Sequence, residues 1–384
     1  MTLTLNDYQQ IAFETDVLNS DKKDINFPLL GLFGEAGGLL SALKKHQREG
    51  AAFSNYEAVI TEEMGDCLWY LANICSRINL RLNDLGFSVS RGKRPKAGAK
   101  LHILDFDDLQ AFATTNRIAK NLTDLKVLLI LGTNVGKVLG LANDGKSTSD
   151  LRGALQEVLH AIAAVAAQAK LSLANAAEKN LEKIQSRWPK KQVYPPLLDE
   201  SALPHEQLPR KIEITFIERK AARKKKYVVQ QCKGLNIGDR LTDNNVKDDD
   251  YRFHDVFHLS YATFLGWSPV IRALFKVKRK SEPDVDEIQD GARAILIEEG
   301  ISTWIFNRAH HDLKLFQGVN SVDYSLLKTV HDFTVGYEVE NSYLWQWEKS
   351  ILEGFRVFRE LKKHRGGTVI ANLETHVLKY RKPI

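Results

Sequence analysis

Three cysteines in 384 residues exclude a disulfide framework, and Cys67, Cys75 and Cys232 lack the spacing of a zinc site. Cys67 and Cys75 fall in one apolar run, where a small soft side chain serves helix packing. Proline is scarce too: there are ten, and five of them fall between positions 189 and 210, so most of the chain is free to form long helices. No apolar run approaches the ~20 residues that span a bilayer. The opening MTLTLNDYQQ lacks the basic start and apolar centre of a signal peptide, so a cytoplasmic protein with no membrane partner is expected. The formal net charge of +6 is modest for this length. It suits a protein that handles phosphates and does not favour a nucleic-acid binder, which concentrates basic charge. What remains is an ordinary globular composition, 43% hydrophobic and 27% charged, over a length that calls for two or three domains.

Two stretches carry acidic residues inside apolar helical patterning: GLFGEAGGLLSALKK at 31–45 and EEMGDCLWYL at 62–71. Glu63 and Asp66 lie three apart and share a helix face, and Glu35 sits in the other run. Carboxylates on facing helices need a counter-charge, and a divalent ion with oxygen ligands supplies one.

In their order and flanks, LNDYQQIAFET, GLFGEAGGLLSALKK and EEMGDCLWYLA, these stretches resemble the MazG-like all-α nucleoside triphosphate pyrophosphohydrolases. That family's signature is an E-x-x-E helix followed by an E-x-x-D helix. One position departs: Gly38 stands where the family has its second glutamate. The resemblance implies that Glu35, Glu63 and Asp66 hold Mg²⁺, with Mn²⁺ as the alternative, and that an activated water attacks the α-phosphorus of a nucleoside triphosphate. Magnesium often uses only one or two carboxylates plus substrate phosphate, so Gly38 is expected to weaken a second ion rather than the first. Glu62 is the spare carboxylate for a base. Lys44 and Lys45 are candidate phosphate contacts, against a solvated helix face, and Trp69 a candidate base-stacking ring, against core packing.

The first half also contains an echo of itself. DFDDLQAFATT repeats LNDYQQIAFET, LILGTNVGKVLG repeats LGLFGEAGGLL, and QEVLHAIAAVAAQ repeats EEMGDCLWYLANI. Residues 1–95 and 103–190 are thus two copies of one helical unit, joined by the basic segment SRGKRPKAGAK. In the second copy Asn134 replaces Glu35, Lys137 replaces Gly38 and His160 replaces Asp66, which argues against a second metal site there. The closing LSLANAAEKNLEKIQSRWP is similar to the family's last helix, and Asn180, Lys183 and Arg187 can share a side facing phosphate or base; a solvated helix end is the alternative.

Residues 191–210 are expected to form a linker, and 211–384 a helical C-terminal module opened by a small β-hairpin, KIEITFIERK and KKYVVQQC. This module also looks like one seen attached to MazG-like proteins. It contains His254, Asp255 and His258 in five residues, then Glu298 and Glu299 in an apolar helix with Arg293 nearby. These form a second candidate site: Asp255, His258 and one glutamate would hold a metal with Arg293 on phosphate, or the same groups would satisfy one another in a buried network.

The expected fold is therefore mainly α: tandem helical-bundle repeats and a helical C-terminal domain with a hairpin. The expected function is metal-dependent cleavage of a nucleoside triphosphate to monophosphate and pyrophosphate, for housecleaning or control of nucleotide pools, by a homo-oligomer. A nucleotide sensor without catalysis, a phosphohydrolase in the C-terminal module, and a nucleic-acid-binding module remain as alternatives.

Overall fold

The computed structural model describes residues 2–16, 24–86, 105–115, 123–220 and 225–383, so the expected joining segment at 90–100 and the tip of the hairpin at 221–224 lie outside the described residues. The chain divides into two units, 1–190 and 191–384.

The first unit is helical: α1 (Leu5–Glu14), α2 (Asn26–Glu49), α3 (Tyr56–Arg77), α4 (Leu82–Gly86), α5 (Phe106–Thr115), α6 (Asp124–Asn143), α7 (Thr148–Ala169) and α8 (Leu173–Arg187). Side-chain caps define several starts: Thr4, Thr123 and Ser172 each accept from a backbone N–H three residues on, and Ser147 forms a reciprocal capping box with Asp150. Both sequence copies share one core, in which α2 packs on α3 and on α6, α6 on α7, and α8 on α3. The copies are parallel in detail. Gln9 donates to the Leu80 carbonyl (2.8 Å) and accepts from the Leu82 N–H (2.6 Å); Gln110 donates to the Leu171 carbonyl (2.8 Å) and accepts from the Leu173 N–H (2.9 Å). Each glutamine thus ties the first helix of its copy to the start of the fourth. Thr4 and Asp105, which precede the two first helices, form an antiparallel bridge.

The scarcity of long apolar runs holds less strictly than the sequence suggests. Helix α6 is 20 residues long with a mean hydropathy of 1.6 in its most apolar window, enough by length and composition to cross a membrane. Val127, Leu128, Leu131, Val135 and Val138 are buried in the unit's core, while Leu125 and Leu129 stay exposed.

The second unit joins a five-stranded antiparallel sheet to six helices among the described residues. The expected hairpin is there, as β1 (Lys211–Lys220) and β2 (Lys226–Cys232), and is extended by β3 (Leu235–Leu241), β4 (Gly366–Asn372) and β5 (Val377–Arg381) in the order β3-β2-β1-β4-β5. The helices are α9 (Asp255–Leu265), α10 (Pro269–Phe275), α11 (Pro283–Ile288), α12 (Ala292–Asp312), α13 (Tyr324–Thr334) and α14 (Leu344–His364). Every residue of α9 is buried, against α14, α12, β4 and β5. That all-round burial is why its sequence is apolar on every face. Gly366 turns the chain from α14 into β4 with φ of 134°, where any Cβ would meet the Phe216 carbonyl oxygen.

The expected linker at 191–210 is instead part of this unit. Leu208 is in the core, and the buried Asp199 carboxylate accepts from Arg210 (2.7 Å), Arg272 (2.8 Å) and the Leu208 N–H (2.7 Å). Prolines gave this stretch the look of a spacer because they suppress helix without preventing packing. Arg252 is another fully buried hub, paired with Glu218 (2.9 Å), Asp243 (2.5 Å) and Asp250. Removing one member of such a network leaves buried charge unpaired. Arg252→Ala is expected to cost about 3–5 kcal/mol in urea unfolding of the second unit, whereas Arg381→Ala, at the exposed pair with Glu213, should cost no more than about 1 kcal/mol.

Candidate functional site

The acidic residues of α2 and α3 do meet. The Glu35 and Glu63 carboxyl groups lie close enough to share a proton, which by itself raises Glu35 and lowers Glu63. Two glycines on the same face of α2 make room for this. A Cβ at Gly38 would overlap the Glu63 carboxyl group, and one at Gly31 would overlap the Tyr70 ring. The space that a glutamate at 38 would need is therefore filled by Glu63. Burial, the proton shared with Glu63 and the negative charges of Asp66 and Glu63 push Glu35 up to about 8. Burial raises Glu63 as well, and its Oε2 is buried without a hydrogen-bond partner.

Asp66 faces another way. Although three residues from Glu63, it turns to α8, where it accepts from Asn180 Nδ2 (2.7 Å) and from Lys183 Nζ at 2.5 and 2.6 Å. Burial still raises its pKa against the pull of Lys183. Asn180 in turn accepts from Tyr8 OH (2.9 Å), which ties α1 to α8. Gly65 permits the approach, since a Cβ there would strike the Ala176 carbonyl and Asn180. Glu62 sits on the same side, 3.6 Å from Lys183.

These positions revise several expected roles. Lys183 and Asn180 are committed to Asp66. Glu62 is an ion partner of Lys183, one helix turn from Asp66 and away from the Glu35–Glu63 pair. Lys44 is exposed, and exposed Lys45 reaches Glu49 (3.9 Å) and the Phe53 ring (4.3 Å). Trp69 is core: 5% exposed, it donates to Thr15 Oγ1 at 3.2 Å. Arg187 lies over the Trp188 ring at 4.5 Å. Tyr8 is the functional neighbour that sequence reasoning missed, and its place in LNDYQQ beside the recognised flank was the available signal. In the second copy Lys137 pairs with Glu157 (2.9 Å), Asn134 donates to the Glu157 carbonyl (3.2 Å), and His160 turns to the backbone of Leu85 and Gly86.

The second unit gathers the other candidates. Among the described residues, the group of three metal-type ligands whose donor atoms lie within 4.8 Å of one another is His254, His258 and Glu299. Glu35, Glu63 and Asp66 are not drawn together that tightly. Glu298 is fully buried and already satisfied, accepting from Ser268 Oγ (2.6 Å) and the Val270 N–H (2.8 Å) and bonding His258 Nδ1 (2.8 Å). Asp255 accepts from Gln230 (2.7 Å) and lies 3.0 Å from His254 Nε2, so it borders the group that it was expected to anchor. Arg293 is exposed near the start of α12, less than two turns before Glu299, and Arg279 is taken up by Asp290 and Glu338. Burial opposes ionisation of Glu299, but the neighbouring imidazoles of His258 and His254 bring it down to about 2. Glu299, His254 and Asp255 line a cleft of about 750 Å³.

No curated protein and no solved structure matches the chain. The family model of the MazG C-terminal domain matches residues 193–384, which is half of the chain and all but the first two residues of the second unit. With the acidic helices of the first unit ahead of that module, the chain belongs to the MazG family as a MazG-like protein carrying the MazG-associated C-terminal domain.

Proposed function

We propose that the first unit is a nucleoside triphosphate pyrophosphohydrolase, cleaving its substrate to monophosphate and pyrophosphate, and that it works in the cytoplasm. The observation that carries this reading is the Glu35–Glu63 carboxyl pair between α2 and α3, one oxygen of which is buried without a partner. Membership of the MazG family supports a hydrolase. The donors fit the implied ion: all are carboxylate oxygens, which suit Mg²⁺ or Mn²⁺, and a cation would answer the unpaired Glu63 oxygen. Glu35 and Glu63 would hold the ion, with Asp66 at the edge of the cluster, and bound there it would bind the triphosphate and lower the pKa of a water.

The chain's own groups do the rest. Glu62, the carboxylate outside the Glu35–Glu63 pair, takes the proton of the attacking water as the new O–P bond forms at the α-phosphorus and the bond to pyrophosphate breaks. Lys183 and Asn180 fix Asp66, whose charge still raises Glu35 and Glu63. Exposed Phe27, Leu30 and Phe33 along α2 support the further reading that the protein is a homo-oligomer.

Incubation with a panel of standard and modified nucleoside triphosphates and Mg²⁺ or Mn²⁺ should release pyrophosphate and monophosphate. Saturable binding without turnover would instead make the unit a sensor. Glu62→Gln is expected to lower kcat by about 10²-fold or more, with helicity retained. Glu35 sets a pH signature. Its folded value lies above that of the unfolded chain, so between the ordinary carboxylate range and about 8 the native state holds a proton that the unfolded state has lost. Stability then falls as pH rises through that window. With chelator present, the wild-type Tm should drop between about pH 5 and about pH 8, and Glu35→Gln should flatten the drop. Sedimentation should find Leu30→Asp/Phe33→Asp in a smaller assembly than the wild type.

A further inference from the structure

His254 and His258 lie one helical turn apart at the entry to α9, with ring centroids 5.6 Å apart. Each ring is held through Nδ1 by an oxygen: His254 by the Tyr251 carbonyl at 3.0 Å, and His258 by Glu298 Oε1 at 2.8 Å. A carbonyl only accepts, and Glu298 already receives hydrogen bonds from Ser268 and Val270, so Nδ1 carries the hydrogen in both rings. Nε2 is left as the working atom of each. Both Nε2 atoms face Glu299, and His254 Nε2 also lies 3.0 Å from Asp255 Oδ1. His258 Nε2 is 3.4 Å from Glu299 Oε1, and His254 Nε2 is 3.7 Å from Glu299 Oε2. His258 is fully buried, and its Nε2 has no hydrogen-bond partner. Two imidazole lone pairs aimed at carboxylate oxygens repel unless a positive centre lies among them.

That centre is either a proton on each ring or a metal ion, and the spacing distinguishes them. A tetrahedral ion with bonds of about 2.0–2.1 Å holds its donors about 3.4 Å apart. Both separations to Glu299 are close to that edge and longer than an ordinary N–H···O hydrogen bond, whereas Asp255 Oδ1, 3.0 Å from His254 Nε2, would border the ion. Carboxylate and carbonyl partners on the far nitrogens are the support that metal-bound histidines receive. The geometry points to a second metal centre, formed by His254 Nε2, His258 Nε2 and the Glu299 carboxylate, for a divalent transition ion of the zinc class.

Its chemistry differs from that of the first unit, where every donor is a carboxylate oxygen: two imidazoles select zinc, cobalt, nickel or iron over magnesium. Three protein ligands leave one position open, as in catalytic rather than structural zinc sites. The neighbouring cleft of about 750 Å³ is where such a position would open, since His254 and Glu299 line it. Its described lining includes Asp239, Asp243, Asp249 and Asp255 and no lysine or arginine, so an anionic ligand would be held there through the ion.

The test uses the full chain, stripped with chelator, loaded with Zn²⁺ or Co²⁺ and desalted. One equivalent should be retained by the wild type and by Glu63→Gln, which removes a carboxylate of the other unit. The Co²⁺ adduct should show the intense visible bands of a four- or five-coordinate ion and should survive excess Mg²⁺. Glu299→Gln and His254→Gln should weaken retention by about 10-fold or more, with unchanged helicity by circular dichroism. Because His258 is fully buried, its role is read in the wild type instead: Zn²⁺ should shift the Nε2 ¹⁵N resonances of two histidines. Failure of the wild type to retain Zn²⁺, with both rings doubly protonated by ¹⁵N shifts, would establish an imidazolium–carboxylate network and overturn the site. Retention that is indifferent to Glu299→Gln and His254→Gln, or Co²⁺ displaced by Mg²⁺, would overturn it equally.

Discussion

Lys183 Nζ lies within hydrogen-bond reach of both Asp66 oxygens, in the wall between α3 and α8, and the first unit is arranged around that pairing. Ionised groups leave water only when an opposite charge or a full set of hydrogen bonds replaces it. Asp66 obtains both, from Lys183 and Asn180, and through Asn180 and Tyr8 the same contact reaches α1. The second unit obeys the same constraint with arginines. Arg252 joins β1 to the loop before α9, and Arg272 joins α10 to the segment around Asp199. What each unit leaves unpaired is therefore informative. Among the buried atoms left without a hydrogen bond are a Glu63 oxygen in the first unit and His258 Nε2 in the second.

The two stretches of the first unit that read as copies in the sequence contribute different groups. The copy with the carboxylates contributes Glu35, Glu63 and Asp66, and α8 from the other contributes the amine and amide that hold Asp66. Lys137 and Glu157 meanwhile neutralise each other on the surface of the second copy. Such a division suits one site per chain: a charge placed by one half is answered by the other, and the matching glutamines Gln9 and Gln110 keep the two halves in equivalent frames. Gly38 belongs to the same logic. Its missing side chain is the seat of Glu63, so the departure from the family's motif is filled by a neighbouring carboxyl group and leaves no gap.

Much of this was legible in the sequence. The helical character, the hairpin of 211–220 and 226–232 and the presence of a C-terminal module follow from apolar periodicity and β-branched runs, which are local. The histidines were legible as a cluster because i and i+4 positions on a helix must be neighbours. The strands β4 and β5 were not, because β4 takes its place beside β1 through pairs far apart in sequence, such as Thr215 with Thr368, and β5 depends on β4. Nor was the place of 191–210, whose prolines conceal a buried aspartate that only Arg272 explains.

The sequence by itself determined which residue types stand at helical intervals: carboxylates in α2 and α3, and imidazoles one turn apart at the head of α9. Only the tertiary structure decided what each of them faces. Glu63 and Asp66 share a face by spacing, yet packing sends one to Glu35 and the other to Lys183, because α8 approaches at Gly65 and brings a cation to one carboxylate alone. Asp255, held by Gln230 on β2, reaches only His254, whereas Glu299 faces both histidines. Intervals along a helix are set by its own geometry; charge partners are set by whichever element packs against it.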